Sequence, residues 1–272
     1  MTMFEAIAEY GFLRNALLAS LLSAVICGVI GVITSQKKLL MMTGGIAHTA
    51  YGGVGLGYLL GFEPIFGAGI FAVISAFIIG AVRKKGGVHT DIVISLLWSL
   101  GMALGIAFTG LMKGYPPDMN SYLFGNILSV TKADLYSMLC LTTVILFAVS
   151  MFYNDFLAFL FDNRFSTVAG IKTAFLEYLI LILIALSIVM LIRVVGIILV
   201  IALLSAPAAS AAFIAKSLKG QMVLAGGFCF AFCFIGLFIS YNFGIASGAA
   251  IVFVASAVYF AIFLFNKIKK KI

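Results

Sequence analysis

The chain offers few side chains that could do chemistry. It has two histidines, four cysteines and nine acidic residues in 272 positions. The best placed is His48, midway along the apolar run LLMMTGGIAHTAYGGVGLGYLLG. On a helix Gly44, His48, Gly52 and Gly55 share one face, and Gly45, Thr49, Gly53 and Gly57 a neighbouring one. Small residues there let a second backbone come close. An imidazole in mid-membrane is costly unless it meets a polar cavity or a partner, so it is a functional candidate. Neutral imidazole suits zinc and other first-row transition metals. The alternative is a hydrogen bond across a helix interface, which residue types alone leave open.

Other candidates are weaker. Cys229 and Cys233, spaced i and i+4, could present two soft ligands, but with Cys27 and Cys140 they lie in apolar runs and read as small hydrophobes. Pro207, flanked by Ser205 and Ser210, must kink a helix and free a carbonyl, bending either a pathway or a close helix crossing. Residues 154–176 mix apolar residues with Asp155, Asp162, Arg164 and Lys172, as either a partner-docking segment or a helix on the headgroups would. Asp91, near His89, is placed to cap the next helix. Asp118 and Asn120 precede an aromatic stretch suited to the membrane interface, and Trp98 reads as membrane packing and anchoring.

The elements that position these residues must live in lipid. The chain is 64% hydrophobic and 10% charged, beyond what a water-soluble core hides. Apolar runs at 13–35, 39–61, 64–82, 92–112, 133–153, 177–192, 194–215, 221–241 and 245–265 match the length of membrane-spanning helices. They are continuous, which excludes the alternating pattern of a β-barrel. Basic residues gather at Lys37 and Lys38, Arg83 to Lys85, Arg164 and Lys172, Lys216 and Lys219, and Lys267 to Lys271. The positive-inside rule makes those ends cytoplasmic, with the N-terminus outside and the C-terminus inside. There are eight or nine spans, depending on whether 177–215 is one broken span or two joined by a short external hairpin near Arg193.

These features also exclude functions. The net charge of +8 sits at span ends and sets topology, so it does not indicate nucleic acid. No GxxxxGK[ST] phosphate loop occurs, so any ATP hydrolysis belongs to a separate chain. No HExxH helix and no paired carboxylates lie inside spans, so an intramembrane enzyme is not expected, nor is a tightly bound cofactor. The start carries Glu5 and Glu9 and lacks a basic region with a cleavage site, so no removable signal peptide is expected.

In order and spacing, the span around His48, SYLFGNIL at 121–128, FDNRFSTVAGI at 161–171 and VVGIILVIALLSAPAASA at 194–211 resemble the membrane permeases of ABC importers for zinc, manganese and iron(II). The resemblance implies an all-α, type II-like importer permease spanning residues 1–272 in a bacterial or archaeal cytoplasmic membrane. It implies a homodimer fed by an extracytoplasmic metal-binding protein and driven by cytoplasmic ABC ATPases. It implies a cargo of divalent metal, zinc first and manganese or iron(II) next. His48 would be the transient ligand, with Gly44, Gly52, Ser205 and Pro207 lining the pathway and Asp162, Arg164, Phe165 and Gly170 docking the ATPase. Family members of the zinc and manganese type usually carry aspartate four residues before the histidine, where this chain has Gly44. Gly44→Asp is therefore the expected handle on selectivity. The alternatives are a vitamin B12 or siderophore importer permease and a stand-alone secondary metal transporter.

Overall fold

The computed structural model describes residues 5, 7, 9–84, 90–113 and 119–269. Lys85, His89, Asp118, Lys270 and Lys271 lie outside the described residues. Every regular element among the described residues is helical: α1 (Gly11–Gln36), α2 (Leu40–Leu60), α3 (Pro64–Lys84), α4 (Thr90–Gly110), the short α5 (Asn120–Phe124) with a 3-10 turn at Ile127–Ser129, α6 (Lys132–Met151), α7 (Tyr153–Phe161), α8 (Asn163–Val168), α9 (Thr173–Val195), α10 (Ile197–Ile214), α11 (Leu218–Phe243) and α12 (Ser247–Lys269).

Eight of these, α1, α3, α4, α6 and α9 to α12, are long and apolar enough to cross a membrane. In hydrocarbon each backbone N–H must find its partner within its own segment, so continuous apolar sequence folds as helix. The 21-residue α2 is as long as α3 and α4. Its glycines and His48 make it less apolar, which its position permits: residues from Met42 to Gly55 are buried without interruption. α2 is the buried axis of the bundle, clasped by α3 and α4.

Glycine makes that clasp possible. A methyl at Gly52 would stand 2.8 Å from the Gly101 carbonyl oxygen of α4, and one at Gly55 2.7 Å from that of Gly105. Gly53 meets Gly67 of α3 just as closely.

The helices run between two ends of the bundle. At one, Lys37 donates to the Phe159 carbonyl (2.6 Å), Gln36 to Gln221 (2.6 Å), and Arg83 faces Glu177 at 3.8 Å. At the other, Asn15 donates to the Val130 carbonyl (3.1 Å), and Arg193 binds Asp134 (2.7 Å) and Glu63 (3.0 Å).

The 177–215 region is two passes. Glu177 and Arg193 place the two ends of α9 at opposite ends of the bundle, and α10 returns, bringing Lys216 beside Gln36. Gly196 alone joins them, with φ +80° and ψ 162°, a conformation essentially reserved for glycine. It packs backbone to backbone on Gly125, whose φ is +68°. SYLFGNIL is thus a plug of α5 and the 3-10 turn seated on the α9–α10 corner, with Asn126 capping the turn through Leu128 N (3.1 Å).

Candidate functional site

His48 is 9% exposed and reaches a cavity of about 560 Å³ between α2, α4, α10 and α12. The cavity extends from Ile198, near the start of α10, to Leu40, the first residue of α2. Its wall is mostly apolar, and its polar side chains are His48, Ser205, Ser256 and Tyr259. α2 fixes the imidazole from one side: Nδ1 lies 2.9 Å from the Gly44 carbonyl oxygen. A carbonyl only accepts, so Nδ1 carries the proton and the lone pair is on Nε2. α4 fixes it from the other, because Trp98 stacks on the ring at 3.8 Å between centroids and 19° between planes. The result is one oriented nitrogen donor beside the cavity.

The expected pathway residues divide. His48 and Ser205 line the cavity together, and Ser205 Oγ donates back to Ile201 O at 2.8 Å. Gly44 sits beneath the Trp98 indole, where a methyl would come 2.9 Å from Cζ3. Gly52 lies under α4, outside the lining. Pro207 lies on the buried face of α10 with Leu203, Leu204 and Ala211, while Ile198, Ile201, Ala202, Ser205, Ala206 and Ala209 form the cavity face. The division follows from helical spacing, since two residues along from Ser205 is the far side of the helix.

Among the described residues no group of three or more His, Cys, Asp or Glu side chains converges to hold a metal. Cys27, Cys229 and Cys233 are free thiols buried in the hydrophobic core, outside the cavity wall. An ion in the cavity would meet one imidazole and a few hydroxyls, a set suited to passage more than to retention.

The residues expected to dock an ATPase lie together at the opposite extreme of exposure. Asp162 caps α8, its Oδ1 accepting from Arg164 N (2.8 Å) and Phe165 N (3.1 Å). Gly170, at φ +79°, ends that turn in open space. The cap presents an apolar knob: Phe161, Phe165 and Val168 are 80%, 63% and 88% exposed. The 154–176 segment is therefore α7, α8 and the first turn of α9. Lys37 ties it to α1 through the Phe159 carbonyl and by lying 3.4 Å over the Phe159 ring.

Sequence reasoning missed two features. Trp98 is no generic anchor, as its partner His48 is on another helix. The Arg193, Glu63 and Asp134 cluster draws on three helix ends remote in sequence, and beside it Tyr58 and Tyr122 meet at 3.3 Å between hydroxyls. Burial, then the Tyr58 hydrogen bond, raises the Tyr122 hydroxyl well above its ordinary range.

Residues 9–266 match the profile of the ABC 3 transport family. An uncharacterized membrane protein of Synechocystis is 40% identical over 98% of this chain and 96% of its own length. The manganese transport system membrane protein MntC of Listeria monocytogenes is 35% identical over 97% of this chain and 94% of its own. Among solved structures, PsaBC from Streptococcus pneumoniae in complex with Fab matches 96% of this chain and 94% of that one. Its TM-score is 0.86 at 31% identity, the type II-like importer permease fold that the resemblance implied. With the family profile matched nearly end to end and relatives this similar, the chain is a multi-pass membrane protein of the ABC 3 transport family.

Proposed function

We propose that this chain is the permease subunit of an ATP-driven importer of divalent transition-metal ions, zinc first and manganese or iron(II) next, working as a homodimer. The observation that carries the reading is the oriented Nε2 of His48 on the wall of the cavity formed by α2, α4, α10 and α12. The basic end of the bundle is cytoplasmic by the positive-inside rule, so the α9–α10 corner and its plug face outward. An extracytoplasmic binding protein delivers the ion there. Cytoplasmic ATPases dock on the exposed apolar knob of α8, where burial of Phe161, Phe165 and Val168 supplies the contact. A second copy of the chain covers the mostly apolar cavity face of α10 and α12, closing the pathway. Names of relatives favour manganese; the single nitrogen donor favours zinc.

The test is uptake into proteoliposomes holding this chain, its co-purified ATPase and the binding protein, with zinc, manganese and iron(II) offered in turn. Uptake of at least one ion only with ATP inside the cytoplasmic compartment is expected. Uptake without ATP would identify a stand-alone transporter, and transport of a chelate alone would identify a large-cargo importer.

A further inference from the structure

Trp98 is the single tryptophan of the chain and lines the same cavity as His48. Stacked at 3.8 Å, it covers one face of the imidazole, while the Gly44 carbonyl holds Nδ1. The same indole fills the space over Gly44, with Cζ3 2.9 Å from the position of any Cβ there. Residue 44 lies one turn from His48 on the same face, where a carboxylate would be a natural second ligand. The indole leaves it no room. None of the side chains lining the cavity is a carboxylate, so an ion passing His48 finds one nitrogen, hydroxyl oxygens and an apolar wall.

We propose that Trp98 is a specificity-determining residue of the pathway. It clamps His48 as a single nitrogen port and denies the adjacent position to an oxygen donor, which favours zinc over manganese. Manganese(II) stands lowest of the first-row divalent ions in affinity for nitrogen ligands and is best held by carboxylate and carbonyl oxygens, whereas zinc binds imidazole well. A ring already oriented by stacking and by its second nitrogen meets the ion in ligating geometry, as groups behind metal ligands commonly arrange. The inference rests on the pathway role of His48.

The indole itself reports on the site. With the full chain alone in liposomes, cobalt(II) is expected to quench Trp98 fluorescence saturably, and His48→Ala to abolish the effect. Zinc should displace cobalt at a concentration at least about tenfold below that needed for manganese. Equal displacement by manganese, or quenching that survives His48→Ala, would overturn the proposal. In the complete transport complex the zinc-to-manganese uptake ratio is expected to fall about tenfold or more in Trp98→Ala/Gly44→Asp and to persist in Trp98→Phe, which keeps a stacking ring. If the double variant fails to assemble, Trp98→Ala against Trp98→Phe decides, and equal ratios in the two contradict the inference. A wild-type complex that moves no metal contradicts the importer reading itself, whereas uptake that needs His48 and ignores Trp98 contradicts only this step.

Discussion

Truncating Arg193 tests how the end of the bundle at the α9–α10 corner is held. Its Nε lies 2.7 Å from Asp134 Oδ1, and its Nη1 3.0 Å from Glu63 Oε1. The two legs differ in environment: the Asp134 side chain is 10% exposed and that of Glu63 53%. An exposed ion pair is worth about 0–1 kcal/mol, since water screens it and both side chains lose freedom. A charge-assisted hydrogen bond to a shielded carboxylate contributes about 1.5–3 kcal/mol. Removing the guanidinium does not orphan Asp134, whose Oδ2 still accepts from Thr131 N (3.0 Å) and Oγ1 (2.6 Å) at the start of α6. The Asp134 leg should therefore fall near the low end of its range. Double-mutant cycles on reversible unfolding in mixed micelles, with Arg193→Ala against Asp134→Asn and against Glu63→Gln, should give a coupling of about 1.5 kcal/mol for the first pair and under about 1 kcal/mol for the second. Equal couplings, or a larger one for Glu63, would refute the claim that burial decides which leg holds α9 to its neighbours.

Three further outcomes are expected. Burial first, then the charge of Arg83, pushes the Lys37 ammonium down to about 8, against an opposing pull from Glu177. The unfolded chain then binds more protons than the folded one between about pH 8 and 10.5, so stability should rise with pH across that window. Lys37→Met should flatten this rise in thermal melts. Gly125→Ala forces a side chain into a glycine-only conformation and into the Val195 carbonyl, at a cost of about 3 kcal/mol or more; size-exclusion profiles should show a large loss of folded protein. Phe165→Asp should lower co-purification of the ATPase about tenfold with no change in the permease melting temperature, since Phe165 is 63% exposed and supports no core.

The spans were legible because hydrocarbon imposes one solution on long apolar runs, and predicted boundaries fell within a few residues of the helices. Gly44, His48 and Gly52 share one helix face as their fourfold spacing implied, but Met42 to Gly55 are buried without interruption, so spacing did not single that face out. Spacing alone does not say which helix covers each position, and Gly44 and Gly52 proved to lie under α4. For Pro207 residue type suggested a bend, but only packing decides which side of α10 faces the cavity. Trp98 and Arg193 were opaque for a common reason. Each acts through partners on other helices, Arg193 through one 130 positions away. The 177–215 region is two passes because Glu177 and Arg193 lie at opposite ends of the bundle, and Gly196 turns the chain between the passes against Gly125, a partner remote in sequence.

The most direct measurement is ATP-driven zinc uptake by the assembled complex with wild-type chain and with His48→Ala, with ATP hydrolysis recorded in parallel. The imidazole nitrogen on the cavity wall implies that uptake falls about tenfold or more while basal hydrolysis continues, because the proposed ATPase-docking face on α8 lies outside the cavity wall. Zinc uptake unchanged in His48→Ala would contradict the pathway reading and leave His48 a structural residue between α2 and α4.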